Sequence, residues 1–97
     1  MKKLDEIIRI IREHLPALRE KYKVKGLDVF GSYKRDEQKE GSDVDILVEF
    51  SKTIDLFMFM ELEEELSSML GIKVDLVMKD TLKPRIKQRI LSEAVPV

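Results

Sequence analysis

The chain contains no cysteine. Disulfide bridges, zinc–thiolate centres and thiol catalysis are therefore excluded. Its one histidine, His14, falls on the polar face of a helical segment with no metal or acid–base partner nearby, and reads as a surface residue. No apolar run approaches the roughly 20 residues needed to span a bilayer. The basic start Met1-Lys2-Lys3 leads into an amphipathic segment carrying Asp5, Glu6 and Arg9, not into the apolar core of a secretory leader. A cytoplasmic protein without a membrane partner is expected. Charge of one sign is also missing: 18 Lys+Arg face 19 Asp+Glu, for a net charge of −1. That balance argues against bulk electrostatic binding to duplex DNA or anionic lipid, and no direct nucleic-acid partner is expected.

What remains is a heavily charged but foldable chain. Its 97 residues are 43% hydrophobic and 38% charged. Residues 1–97 suit one domain with a thin core, so most secondary structure must serve that core. Leu4, Ile7, Ile8, Ile11, Leu15 and Leu18 recur at three- and four-residue steps, which predicts a helix over 3–21. Pro16 inside it predicts a kink or a new helical start. Leu27 to Phe30 reads as a first strand, with Gly26 closing the connection before it. Residues 31–42 read as a polar, glycine-bounded loop with a turn of helix near Ser32. Val44 to Phe50 is a second strand. A helix over 54–70 stops at Gly71, Ile72 to Met78 forms a third strand, and Pro84 opens a helix to about residue 93 with Leu82, Ile86 and Ile90 inward. The fold expected is α/β (α+β): a small mixed sheet of three or more strands flanked by helices, in the order α-β-loop/α-β-α-β-α.

Chemistry concentrates at three aspartates. Asp43 and Asp45 open an apolar strand two residues apart, so both carboxylates point to one face. Ionised together they repel, and a divalent cation supplies the counter-charge. Asp75 lies inside the third strand between Val74 and Leu76, and joins the pair if the strands are neighbours. Oxygen ligands on adjacent strands suit Mg²⁺ shared with substrate phosphates, and two such ions can serve an in-line displacement. Gly31-Ser32, just past the first strand, offers close backbone approach and a hydroxyl for phosphate. Each piece alone has a plainer reading: a turn, a solvated strand entrance, a salt bridge from Asp75 to Lys73 or a C-terminal base. Jointly they are far more specific.

Gly31-Ser32, ten residues, Asp43-Val44-Asp45 and a later strand aspartate resemble the signature of the DNA polymerase β-like nucleotidyltransferases. The stretches Val29-Phe30-Gly31-Ser32-Tyr33, Ser42 through Phe50, Val74-Asp75-Leu76-Val77 and Leu82 through Val95 resemble the minimal members, the MNT antitoxins paired with HEPN toxins. The family's loop often reads Gly-Ser-Tyr/Phe-Ala-Arg-Gly-Glu; here Arg35 matches, while Lys34 replaces the alanine and Asp36 the glycine. The resemblance implies the nucleotidyltransferase fold, ATP as donor and two Mg²⁺ ions. It implies nucleotide contacts from Gly31, Ser32, Arg35 and Ser42, and metal and catalytic roles for Asp43, Asp45 and Asp75. It also implies a HEPN-type toxin as partner and a hydroxyl, usually a tyrosine's, as acceptor. The catalytic elements consume the chain, so a second substrate must be small or bring its own binding surface. Alternatives are an antitoxin that occludes its toxin without chemistry, and a small-molecule nucleotidyltransferase. Assembly as a homo-oligomer or with the toxin is open.

Two further features have plain readings. Lys79, Lys83, Arg85, Lys87 and Arg89 could steer phosphate or an RNA-cleaving partner, but also suit a solvated face balanced by Glu61 and Glu63–Glu65. Met58, Met60 and Met69 suit core filling, although an exposed Met58 beside Phe57 would mark an interface.

Overall fold

The computed structural model describes residues 3–31 and 43–97. Its elements run α1 (Leu4–Tyr22), β1 (Val24–Phe30), β2 (Val44–Phe50), α2 (Leu56–Leu70), β3 (Val74–Met78), a single 3₁₀ turn (Lys79–Thr81), α3 (Pro84–Glu93) and β4 (Val95–Pro96). The strands form one mixed sheet in the order β3-β2-β1-β4. β1 is antiparallel to β2 and to β4, while β2 and β3, joined through α2, are parallel.

Alternation along each strand decides the layers. Leu27 and Val29 of β1, Val44, Ile46 and Val48 of β2, and Val74 and Leu76 of β3 are all buried. They meet Ile7, Ile11, Leu15, Leu18 and Tyr22 of α1 and Leu62, Leu66 and Leu70 of α2 in one core. Two helices thus cover one face of the sheet. The residues between these apolar positions, Asp28, Asp45 and Asp75 among them, belong to the other face. Leu47, on that second face, is also only 2% exposed.

The ends of α2 are set locally. The Asp55 carboxylate accepts from the Met58 amide at 2.8 Å, and Gly71 closes the helix at φ +68°. Between α1 and α2, the Tyr22 hydroxyl and the Lys21 ammonium both donate to Glu65 Oε1 at 3.1 Å. β3 is an edge strand, and α2 covers its free amides. Val74 N donates to Ser67 Oγ and Leu76 N to Glu63 Oε2, each at 2.9 Å.

Several expectations need correction. No second helix starts at Pro16: α1 continues through it, and the residue lies exposed, so water can serve the carbonyl that its missing N–H leaves unpaired. β1 starts at Val24, not Leu27: Gly26 sits inside the strand, where the register with β2 shifts between Val24 and Gly26. β3 starts at Val74, not Ile72. β4, two residues long, was too short to show a period. Leu82, Ile86 and Ile90 form no buried face: α3 has no buried residue, and Ile86 is 49% exposed. Met58 and Met69 pack against the core as expected, but Met60 is 54% exposed. His14 is exposed, its Nδ1 2.9 Å from the Ile10 carbonyl.

The Glu63 carboxylate ties α2 to the sheet edge through a charge-assisted bond. Glu63→Ala is expected to lower stability by about 1–2 kcal/mol and to expose the Leu76 amide to strand pairing. Denaturant unfolding, with light scattering for self-association, measures both.

Candidate active site

The site residues lie on three neighbouring strands. In the parallel pairing of β2 with β3, Asp45 and Asp75 are direct register partners. Paired residues share a face, so the two carboxylates leave the sheet side by side, away from the core. Asp45 is half-buried and Asp75 exposed. Neighbours Val44, Ile46, Val74 and Leu76 point the other way and are 5% exposed or less. Burial of these four fixes the aspartates' orientation, because a one-residue slip in either strand would drive its carboxylate into the core.

Asp43 stands half-buried just before β2, whose first amide, Val44 N, donates to the Lys73 carbonyl at 2.9 Å. Two residues before Asp45, it continues the same side of the strand. No ion pair between Asp75 and Lys73 occurs among the described residues.

Gly31 closes on Asp45 from β1. Phe30 pairs with Asp45, and the buried Gly31 follows at φ +78°. A Cβ at Gly31 would collide with Asp45 Oδ2 and lie 3.0 Å from its Cγ. The backbone angle strains any side chain here, and the Asp45 carboxylate would have to move aside to admit one. The glycine read as a phosphate-loop residue is thus also the wall against which Asp45 is seated. Ser32, Arg35 and Ser42 lie outside the described residues.

The donor set is all oxygen, carried on adjoining strands, as a hard divalent cation requires. Among the described residues, no three His, Asp or Glu side chains are already gathered as a metal site. Carboxylates this close repel, so drawing a third into the pair takes a counter-charge. What the backbone supplies is the Asp45–Asp75 pair, Asp43 beside it, and room at Gly31.

Sequence reading missed a fourth carboxylate on this face. Asp28 pairs with Leu47 of β2 and Pro96 of β4. Burial pushes its carboxyl above the ordinary range; the nearby Lys79 charge lowers it and Glu49 raises it. Lys79 itself reaches Glu49 at 3.5 Å, and Lys25 reaches the same carboxylate at 3.8 Å. The signal lay in the alternation Leu27-Asp28-Val29, which puts Asp28 opposite the core.

These features define a class: a small mixed sheet with a glycine turn on one strand, an Asp-x-Asp on the next and a third aspartate in register beside it. A nucleotidyltransferase-domain family model matches residues 11–97, and the chain belongs to that family. It is a nucleotidyltransferase of the minimal kind, the MNT type. The chain is 51% identical over 94 residues to the protein adenylyltransferase MntA of Thermococcus cleftensis, covering 97% of this chain and 95% of that one. The fold is similar to a solved minimal nucleotidyltransferase, with a TM-score of 0.82, 34% identity, and coverage of 99% and 97% of the two chains. It is also similar to the complex of a tri-AMPylated Shewanella oneidensis HEPN toxin with its MNT antitoxin. There the TM-score is 0.61 and the identity 27%, covering 95% of this chain and 66% of that one.

Gly31→Ala forces Cβ into the Asp45 carboxylate and a left-handed backbone angle onto alanine, a strain of about 1–2 kcal/mol. Nucleotidyl transfer is expected to fall more than about tenfold while circular dichroism still reports a folded domain. Asp28→Asn tests the half-buried carboxyl. A folded-state pKa above the unfolded value means that ionised Asp28 costs stability at neutral pH, and the cost fades as pH falls through that pKa. The asparagine variant is expected to melt higher near about pH 7 and to lose that advantage near about pH 3.

Proposed function

We propose that this chain transfers AMP from ATP to a side-chain hydroxyl, a tyrosine's by preference, of a HEPN-type toxin and thereby silences it. The observation that carries the reading is the in-register pair Asp45–Asp75 on the face of the sheet opposite α1 and α2, with Gly31 seated against Asp45. That face suits in-line displacement at phosphorus, in which positioning and charge stabilisation carry most of the work.

Asp43, Asp45 and Asp75 would hold Mg²⁺, two ions in the full reading, which when bound supplies counter-charge to the triphosphate and to the attacking and leaving oxygens. Gly31 lets the backbone approach the phosphates, and Ser32, Arg35 and Ser42 belong to the same triphosphate-binding half by family resemblance. Asp75, the most open of the three carboxylates, takes the proton of the acceptor hydroxyl. The acceptor oxygen then bonds to the α-phosphorus, the bond from that phosphorus to the bridging oxygen breaks, and pyrophosphate leaves with its electron pair. Buried Val44, Ile46, Val74 and Leu76 hold the two strands rigid, so the carboxylates keep their spacing through the reaction. A reaction that consumes ATP and modifies a partner protein belongs in the cytoplasm.

The test co-expresses the chain with a HEPN-type toxin protein. Intact-mass analysis should show added AMP on that protein with ATP and Mg²⁺. Asp45→Asn and Asp75→Asn should each cut transfer by roughly a hundredfold or more, with thermal melting unchanged or raised as carboxylate repulsion is relieved. Full neutralisation of the toxin in cells by both variants would assign the protein to occlusion instead of chemistry.

A further inference from the structure

α2 carries an apolar surface that neither the core nor the reaction uses. Leu56, Phe57 and Met60 are 67%, 77% and 54% exposed. They cluster on the first turns of the helix, Met60 standing four residues past Leu56. Beside them runs an open groove of about 470 Å³ lined by Ile54, Leu56, Phe59, Val77, Met78 and Thr81, among others. Val77 follows Asp75 by two residues on the same strand, roughly 7 Å along it. One corner of the groove therefore reaches toward Asp75, while Ile54, Met78 and Thr81 carry the rest of it toward the strand ends that hold Glu49 and Lys79. Contiguous apolar surface of this kind, away from the core, marks a docking site.

Three occupants differ in what they require. An added strand needs free amides along the β3 edge, but Val74 N and Leu76 N are already bonded to Ser67 and Glu63. A second copy meeting through a two-fold axis would bring the same patch against itself. Asp55, Glu61 and Glu64 stand on the patch's own helix start and flank, all exposed, so such a dimer would oppose like charges. A helix from another protein, with an apolar stripe and Lys or Arg on its flanks, meets both the groove and its acidic border.

We propose that the Leu56–Phe57–Met60 face and the adjoining groove dock a basic-flanked amphipathic helix of the protein acceptor, and that this docking delivers its hydroxyl to Asp75. The inference rests on the reading that the acceptor is a protein. Docking by side-chain packing sets the approach from the β3 edge. The acceptor then enters over Val77 instead of across β1.

The experiment measures, for the full chain and the HEPN-type toxin protein that it modifies in the transfer test, the Kd by calorimetry, AMP transfer by intact mass, and AMP-PNP binding. Phe57→Asp and Met60→Asp sit on exposed positions and should leave melting and AMP-PNP binding unchanged. Each should weaken partner binding by about thirtyfold or more, as loss of an apolar anchor does. Glu61→Lys with Glu64→Lys should weaken it severalfold, with the effect shrinking at high salt. Unchanged partner Kd in both apolar variants overturns the proposal. So does sedimentation showing a wild-type dimer that Phe57→Asp converts to monomer with partner binding intact. Wild-type binding through Phe57 without any AMP added upholds the docking surface and removes the transfer reading. Undiminished transfer by Phe57→Asp at limiting concentration removes the docking surface and leaves the transfer reading in place.

Discussion

Everything at the site depends on the register between β2 and β3. Parallel pairing sets Asp45 beside Asp75, and the same pairing sets Val44 beside Val74 and Ile46 beside Leu76. The apolar pairs are buried under α1 and α2, so the register carries the weight of the core. A slip by one residue in one strand would bury a carboxylate and expose a valine or leucine. Burial of an unpaired charge is costlier than loss of one apolar contact, and the arrangement is strongly specified for that reason. The chemistry thus borrows its precision from packing on the opposite side of the sheet.

The acidic face is balanced unevenly. Lys79 and Lys25 converge on Glu49 at the far end of β2, whereas the near end holds Asp45 and Asp75 with Asp43 just ahead of the strand. Concentrated negative charge at one end of a strand pair is what a hard cation and a triphosphate require together. Gly31 adds a steric condition: Asp45 occupies the space that any larger residue at position 31 would claim. The turn and the carboxylate are therefore one unit, contributed by two strands. Beyond them the β3 edge is closed to strand addition by Ser67 and Glu63, and the neighbouring surface of α2 is apolar.

Much of this was legible from local patterns. The spacing of Leu4, Ile7, Ile11, Leu15 and Leu18 marks α1, Gly71 marks the end of α2 and Pro84 the start of α3, because helical period and caps are set by near neighbours. Asp43 and Asp45 share a side by two-residue spacing alone. Local patterns failed where a partner decides the outcome. Lys25-Gly26 looks like a connection, yet β2 recruits it into β1 through a shifted register. Val95-Pro96 has no period, and becomes a strand only because β1 offers Asp28 and Val29 as partners. Ile86 and Ile90 have core spacing, but α3 buries none of its residues, and among the described residues no sheet or helix closes over it.

The sequence by itself determined the residue types and their local directions: three aspartates able to hold a hard cation, a glycine free of Cβ before them, and strands with one apolar side. Local geometry suffices for that, since side-chain direction repeats every two residues in a strand. Only the tertiary structure decided that Asp75 stands opposite Asp45 and that Gly31 abuts its carboxylate. It also decided that Phe57 and Met60 face outward, although their helix buries Leu62, Leu66 and Leu70. Those outcomes depend on which strands pair, in what register, and on how much of a helix the sheet is wide enough to cover.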